Sequence, residues 1–339
     1  MGALAAGIVT GHWDSVEHAR GVVDTFWYPP HYGIYFSIFS AGLLSLIALI
    51  ILLSEKGYFF DKIRRNKALV VVSLFNFAGF AAAPLDVWWH QTYGFDTSVW
   101  TPPHFILWIG GVVMTSLGLS VYFLDSNPNR APLRIVRLKE ILHKNYFPLV
   151  FSYVMAILMA TFILFSEYEN QTNVSIVLAR PSWTYPVLWT SFVVLMFTLV
   201  TSATRYIGMA TIVAALCDLP RLLVIPFDRS YLDYRGMTFY PLVIPAIALD
   251  LSCLLVWWRW GKQMPLRAKI ASGLVVTGVV TVTTPLYWML LNVFPQADVY
   301  PWATYWPLSL AVGIPASLAG WYAGSLLRRL RPQQRSVLA

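Results

Sequence analysis

The sequence predicts an all-α polytopic membrane protein of about nine transmembrane helices, with its N-terminus outside and a tandem repeat in its first half. Three observations lead there. Hydrophobic residues make up 58% of the chain and charged residues only 12%, with a mean hydropathy of +0.61, far from the balance of a soluble domain. Apolar runs of roughly 20 residues, the length that crosses a bilayer as helix, recur from residue 31 onward. Basic residues gather in every second loop, as they do where loops face the cytoplasm.

Each element follows from these patterns. Residues 2–10 are apolar but too short to span and lack the basic flank of a signal peptide, so they form a partly embedded lead-in. The first span, 31–54, ends in loop 55–67, where Lys56, Lys62, Arg64, Arg65 and Lys67 mark the cytoplasm. A second span, 68–86, returns outward. The third, 104–124, leads to loop 125–145, cytoplasmic by Arg130, Arg134, Arg137, Lys139 and Lys144. The fourth, 146–166, reaches an outer loop with Glu167 and Glu169, and the fifth covers 183–204.

Residues 206–227 form a sixth span that carries Asp218, Pro220 and Arg221. Charges at that depth are costly, so Asp218 and Arg221 are expected to face protein and neutralise each other. The seventh span, 237–258, exits among Arg259, Lys262, Arg267 and Lys269, and a cytoplasmic exit there requires the sixth. The eighth, 270–291, and the ninth, 304–327, finish in Arg328, Arg329, Arg331 and Arg335. The whole chain, 1–339, reads as one membrane domain. Its net charge of +8 lies in these loops, which removes the case for nucleic-acid binding. Cys217 and Cys253 fall in apolar runs and read as packing residues, with no disulfide framework or cysteine metal site.

Polar chemistry is concentrated in two stretches, 12–31 and 84–104. The first has Asp14, His18, Asp24 and His31; the second has Asp86, His90, Asp96 and His104. Both end in Pro-Pro-His, and Asp14 to Asp86 and His18 to His90 are each 72 residues apart. The spans place both copies on the outer side. If the second span continues as helix, Asp86 and His90 share a face at i and i+4, so a carboxylate and an imidazole converge. Pro102-Pro103 suits the first turn of a new helix and sets His104 at its start. Each copy thus offers two nitrogens and one oxygen, a transition-metal set with open coordination positions: Asp14, His18 and His31, then Asp86, His90 and His104. Raw affinity ranks copper above zinc; iron and zinc remain compatible with the ligand types. Asp24 and Asp96 suit the role of orienting a ligand imidazole through its other N–H. A structural alternative is that these are interfacial polar groups that cap helices and hydrogen-bond to one another.

The second copy resembles a known site. The C subunit of the particulate methane and ammonia monooxygenases, which are copper-dependent membrane enzymes, carries an Asp-x3-His-x12-His copper motif. Its surroundings are similar to Trp89-His90-Gln91-Thr92, Asp96-Thr97 and Thr101-Pro102-Pro103-His104, and Asp14, His18 and His31 match its spacing. The family has a second such motif with Asn in place of the acid, whereas both copies here keep Asp. The resemblance covers about residues 12–125 and implies two adjacent copper sites, oxygen activation, and a small apolar substrate such as ammonia, methane or a short alkane. It further implies a quinol or protein electron donor, partner membrane subunits or a homo-oligomer, and residence in a prokaryotic plasma membrane with the metal outside. Two other functions are compatible with the residues: a non-catalytic metal-binding subunit that organises a complex, and a metal transporter.

Other residues carry weaker signals. His12 reads as a solvated histidine near the N-terminus, with a ligand role as the alternative. His143 lies among basic residues on the other side. Trp88, Trp89, Trp100, Trp183, Trp302 and Trp306 fit an outer aromatic belt, and Trp257, Trp258 and Trp260 an inner one. Asp250, inside the seventh span, is either a proton or ion relay, with Asp218 as a second member, or a hydrogen-bonding partner of a neighbouring helix. Thr284-Pro285-Leu286 echoes Ala83-Pro84-Leu85, a faint sign of further repeat members with Tyr287 at the position of Asp86.

Overall fold

The computed structural model describes residues 2–19, 25–94, 101–107, 148, 151–162, 184–231, 241–261, 264–291 and 302–330. Among these the chain is helical and has no strands: α1 (Gly2–Ala19), α2 (Pro29–Ser54), α3 (Phe59–Arg65), α4 (Lys67–Tyr93), α5 (Pro102–Ile106), α6 (Phe151–Phe162), α7 (Thr184–Thr204), α8 (Met209–Tyr231), α9 (Val243–Trp260), α10 (Leu266–Leu291) and α11 (Trp302–Leu330). Among the described residues six segments are long and apolar enough to cross a membrane: Pro29–Ser54, Leu69–Tyr93, Val187–Thr204, Val243–Trp260, Leu266–Thr284 and Tyr305–Arg329. The protein is therefore a helical, membrane-embedded one. The third span beyond residue 107, loop 125–145 and the outer loop after the fourth span lie outside the described residues.

The N-terminal lead-in is helical and runs on into the first polar stretch. The apolar lead-in does not stop near residue 10, because α1 continues through Asp14 and His18 to Ala19. Apart from Gly11 nothing in 11–19 disfavours a helix, and α1 packs along α2, so the polar residues extend a helical face. The approach is close: a side-chain carbon at Gly33 of α2 would collide with Thr10 of α1.

Helix α2 starts where Pro29 and Pro30 occupy its first two positions, which need no intrahelical N–H partner. It presents Phe36, Leu44, Ile47 and Ile50 outward, a surface suited to lipid. At its far end Lys62 donates to the Leu53 carbonyl at 2.7 Å and satisfies an orphan acceptor. The short helix α3 then returns the chain into α4, which packs antiparallel to α2. Asn76 donates to Ser45 Oγ at 2.7 Å between them, a buried interhelical bond.

The largest apolar core lies in the second half, where α6 through α10 meet around Met159, Phe197, Val213, Leu249 and Val280. Cys217 and Cys253 are buried there as free thiols, in keeping with a packing role. The tightest pair is α7 with α11. Thr198 Oγ1 donates to the Ser317 carbonyl at 3.2 Å, and Ser202 Oγ to that of Trp321 at 2.8 Å. One register serves both bonds, so the two helices run parallel. Gly320 and Gly324 are the reason they approach so closely: a Cβ on Gly324 would lie 2.7 Å from Ser202 Cβ and 2.9 Å from the Ala203 nitrogen.

Antiparallel α8 and α9 cap each other. Gly208 precedes α8 without a side chain to offer, and Asp250 of α9 supplies the missing acceptor, taking the Thr211 N–H at 2.9 Å and its hydroxyl at 2.7 Å. At the other end the Val243 N–H, at the start of α9, donates to Asp218 Oδ2 at 3.2 Å. The partner found for Asp218 is thus the α9 backbone; the Arg221 side chain lies outside the described residues.

Candidate metal centre

In both Asp/His stretches the Pro-Pro-His segment starts a helix. Asp86 and His90 lie on α4, which passes its internal Pro84 and continues to Tyr93. Gly94 ends the helix at φ +84°, a backbone shape that side chains resist, and its N–H closes on the His90 carbonyl at 3.0 Å. The Gly94 carbonyl in turn lies 3.2 Å from His90 Nδ1. After the turn, Thr101 precedes α5, Pro102 and Pro103 fill its first positions, and His104 is the third residue. In the first copy Tyr28, Pro29, Pro30 and His31 occupy the same places at the start of α2.

The geometry repeats. His31 Nε2 lies 3.1 Å from Asp14 Oδ1, so the Pro-Pro-His imidazole reaches back to the carboxylate of the preceding helix. In the second copy His104 Nε2 lies 3.6 Å from Asp86 Oδ1, and His90 Nε2 lies 3.7 Å from Asp86 Oδ2. The i, i+4 convergence of Asp86 with His90 occurs as the helical spacing requires. His18 sits on α1 in the corresponding place, four residues after Asp14, with its side chain outside the described residues; Asp24 and Asp96 lie wholly outside them. Among the described residues no three His, Cys, Asp or Glu side chains close around one point. The approach is pairwise, with each oxygen of Asp86 facing a different imidazole.

The opposite face of each imidazole is held. His90 Nδ1 faces the Gly94 carbonyl, and His31 Nδ1 faces the Phe26 carbonyl at 3.4 Å. A carbonyl can only accept, so these two contacts are hydrogen bonds in the Nδ1–H tautomer, which turns the Nε2 lone pair toward the aspartate. A lone pair facing a carboxylate is repulsive unless a positive charge joins them. A metal ion between them would supply that charge. Two donors at about 2.1 Å from one ion and 90–120° apart would be about 3.0–3.6 Å from each other, close to the separations seen here. The separations are thus compatible with two ligands of one ion; the 3.6 and 3.7 Å gaps around Asp86 exceed a normal hydrogen bond, whereas the 3.1 Å between His31 and Asp14 falls within its range.

The residues that orient these rings were not anticipated. Tyr35, one turn after His31, donates to the Phe26 carbonyl at 2.9 Å and lies 3.4 Å from His31 Nδ1. Thr101 Oγ1 is 3.0 Å from His104 Nδ1. The i+4 spacing of Tyr35 and the position of Thr101 before Pro-Pro-His were visible signals. His12 also departs from expectation: it is buried, as is Glu17, which accepts from the Trp13 indole at 3.3 Å. The polar face of α1 is turned into protein.

The antiparallel register of α2 and α4 pairs Ser45 with Asn76 and Phe39 with Phe80. It sets the His31 end of α2 beside the His90 end of α4, so both clusters lie at one end of this helix layer. Asp218 and Asp250 lie on α8 and α9, each with its Oδ2 taking a hydrogen bond from the neighbouring helix, the second of the two roles expected for Asp250. The chain matches no protein-family model, and comparison with curated proteins and with solved structures finds no similar chain.

Proposed function

We propose that this chain is a copper-binding membrane protein, the metal-bearing part of an oxidoreductase that acts on a small apolar molecule. The observation that carries the reading is the duplicated contact: Asp14 with His31, and Asp86 with His90 and His104, each imidazole anchored through Nδ1 and turned by Nε2 to the carboxylate. His18 completes the first ligand set by its place on α1. Copper bound there would supply one-electron redox chemistry and oxygen activation. The chain's own residues hold the donors: Gly94, Thr101, Phe26 and Tyr35 fix the ring orientations, and the Pro-Pro turns set His31 and His104. With a quinol as donor the reaction balances: one dioxygen, two electrons and two protons give a hydroxylated product and one water.

The proposed topology has nine spans and an outer N-terminus, in a prokaryotic plasma membrane, with both clusters on the extracytoplasmic side. Parallel packing of α7 and α11 supports it, since three crossings between them would make the two run the same way; α9 and α10 are long and apolar enough for two of these, and this reading takes α8, whose apolar part Met209–Leu219 is shorter, as the third.

The test is metal content by mass spectrometry on protein purified without chelator, with EPR on the same samples. The wild type should carry copper, and His31→Ala and His104→Ala should each lose about one site's worth. Protein free of transition metal would reduce the clusters to Asp–His ion pairs and overturn the proposal.

A further inference from the structure

At the end of the bundle where α7, α9 and α11 finish and α10 starts, a cavity of about 340 Å³ opens among Thr201, Ser202, Arg205, Lys269, Trp321, Arg328 and their neighbours. Three of its lining residues are cations and none is acidic. Its volume falls within the range of small-ligand pockets, roughly 300–1,000 Å³. Two of its polar groups are buried without a hydrogen-bond partner, Thr201 Oγ1 and Trp321 Nε1, on side chains 0% and 4% exposed. Unsatisfied buried donors are costly and call for a ligand that accepts hydrogen bonds.

The cations are not explained by helix ends alone. Arg328 sits in the last turn of α11, where a positive charge suits the helix dipole, and it donates to the Ser202 carbonyl at 2.9 Å. Lys269 lies in the first turn of α10, the end at which a cation is disfavoured. Arg205 follows the last residue of α7 at φ +57°, a conformation that costs a side-chain-bearing residue about 1 kcal/mol and glycine almost nothing. An arginine held there at that cost points to use of its guanidinium.

We propose that this cavity binds a phosphate group, the chemistry that accepts from two guanidiniums, an ammonium, a hydroxyl and an indole N–H together. Its place at the end of the spans favours the headgroup of an anionic phospholipid; a soluble phosphate is the other source of the same chemistry. The site is separate from the Asp/His clusters and independent of their metal.

The experiment is thermal unfolding of the whole chain in detergent, titrated with dioleoylphosphatidylglycerol, with dioleoylphosphatidylcholine, or with inorganic phosphate. Phosphatidylglycerol should raise Tm well beyond phosphatidylcholine, and Lys269→Gln should weaken the apparent affinity by about tenfold or more. Arg205→Gly is the discriminating variant. It relieves the backbone, so the ligand-free protein should be at least as stable as wild type while the response is lost. Arg259→Gln, an exposed cation of α9 outside the cavity lining, should respond like wild type. A response to inorganic phosphate alone would support the site with a soluble ligand. No response to either phosphate source, or equal losses in Arg259→Gln and Lys269→Gln, would overturn the proposal.

Discussion

Asp250 shows how a charged residue can be accommodated at the depth of a spanning helix. It is 5% exposed, and one oxygen takes two hydrogen bonds from Thr211, so the carboxylate stands in for the cap that Gly208 cannot supply. Asp250→Ala should therefore destabilise the protein by about 1–3 kcal/mol, read as a lower Tm, while Asp250→Asn keeps an acceptor and should lose less. Metal content should be unchanged in both variants, whereas a relay role would leave stability intact and impair turnover. Of the site residues, Asp86 with His90 was legible because helical spacing alone dictates the convergence. The contacts of His31 and His104 depend on how the following helix folds back, and the Pro-Pro pair indicated only where that helix begins. Tyr35 and the Gly94 carbonyl were hidden for a simpler reason: they act through geometry that composition does not record.

Among elements, α7 and α11 owe their contact to small residues. A Cβ on Gly324 would meet the backbone of α7 at the Leu199 carbonyl and the Ala203 nitrogen, and backbone cannot rotate aside. Gly324→Ala is expected to push the helices apart and cost about 1–3 kcal/mol. Gly278 of α10 has nothing within 4 Å of its would-be Cβ, so Gly278→Ala should be neutral or stabilise by about 0.5–1 kcal/mol. Comparing the Tm of the two variants separates packing from glycine removal as such. Span positions were legible from hydropathy: α2, α4, α7, α9, α10 and α11 fall where the apolar runs lie. The full extent of α1 was not legible, because its second half is polar and a hydropathy reading cannot see a helix whose polar face is buried against protein. Partner choice between helices was equally invisible, since an apolar run says nothing about which neighbour its glycines will face.

For the whole molecule, charge and packing make one joint statement about topology. The antiparallel pairs α2–α4 and α8–α9, together with the parallel pair α7–α11, are what alternating crossings require, and the cations at the ends of α7 and α11 and at the start of α10 gather at one end. In the proposed topology the positive-inside bias makes that end cytoplasmic. The loop holding Lys56 should face the same side, and Tyr93, beside the second Asp/His cluster, the opposite one. Cysteine accessibility tests this directly, because the native Cys217 and Cys253 are buried and should contribute little background. Tyr93 is exposed, so Tyr93→Cys should react in intact cells with a maleimide that cannot cross the membrane, whereas Lys56→Cys and Ile207→Cys should react only after lysis. Labelling of Ile207→Cys from outside, with Lys56→Cys protected, would mean that the number of crossings between residues 56 and 207 is odd. That result would place the phosphate cavity on the same side as the proposed metal sites and remove the nine-span arrangement.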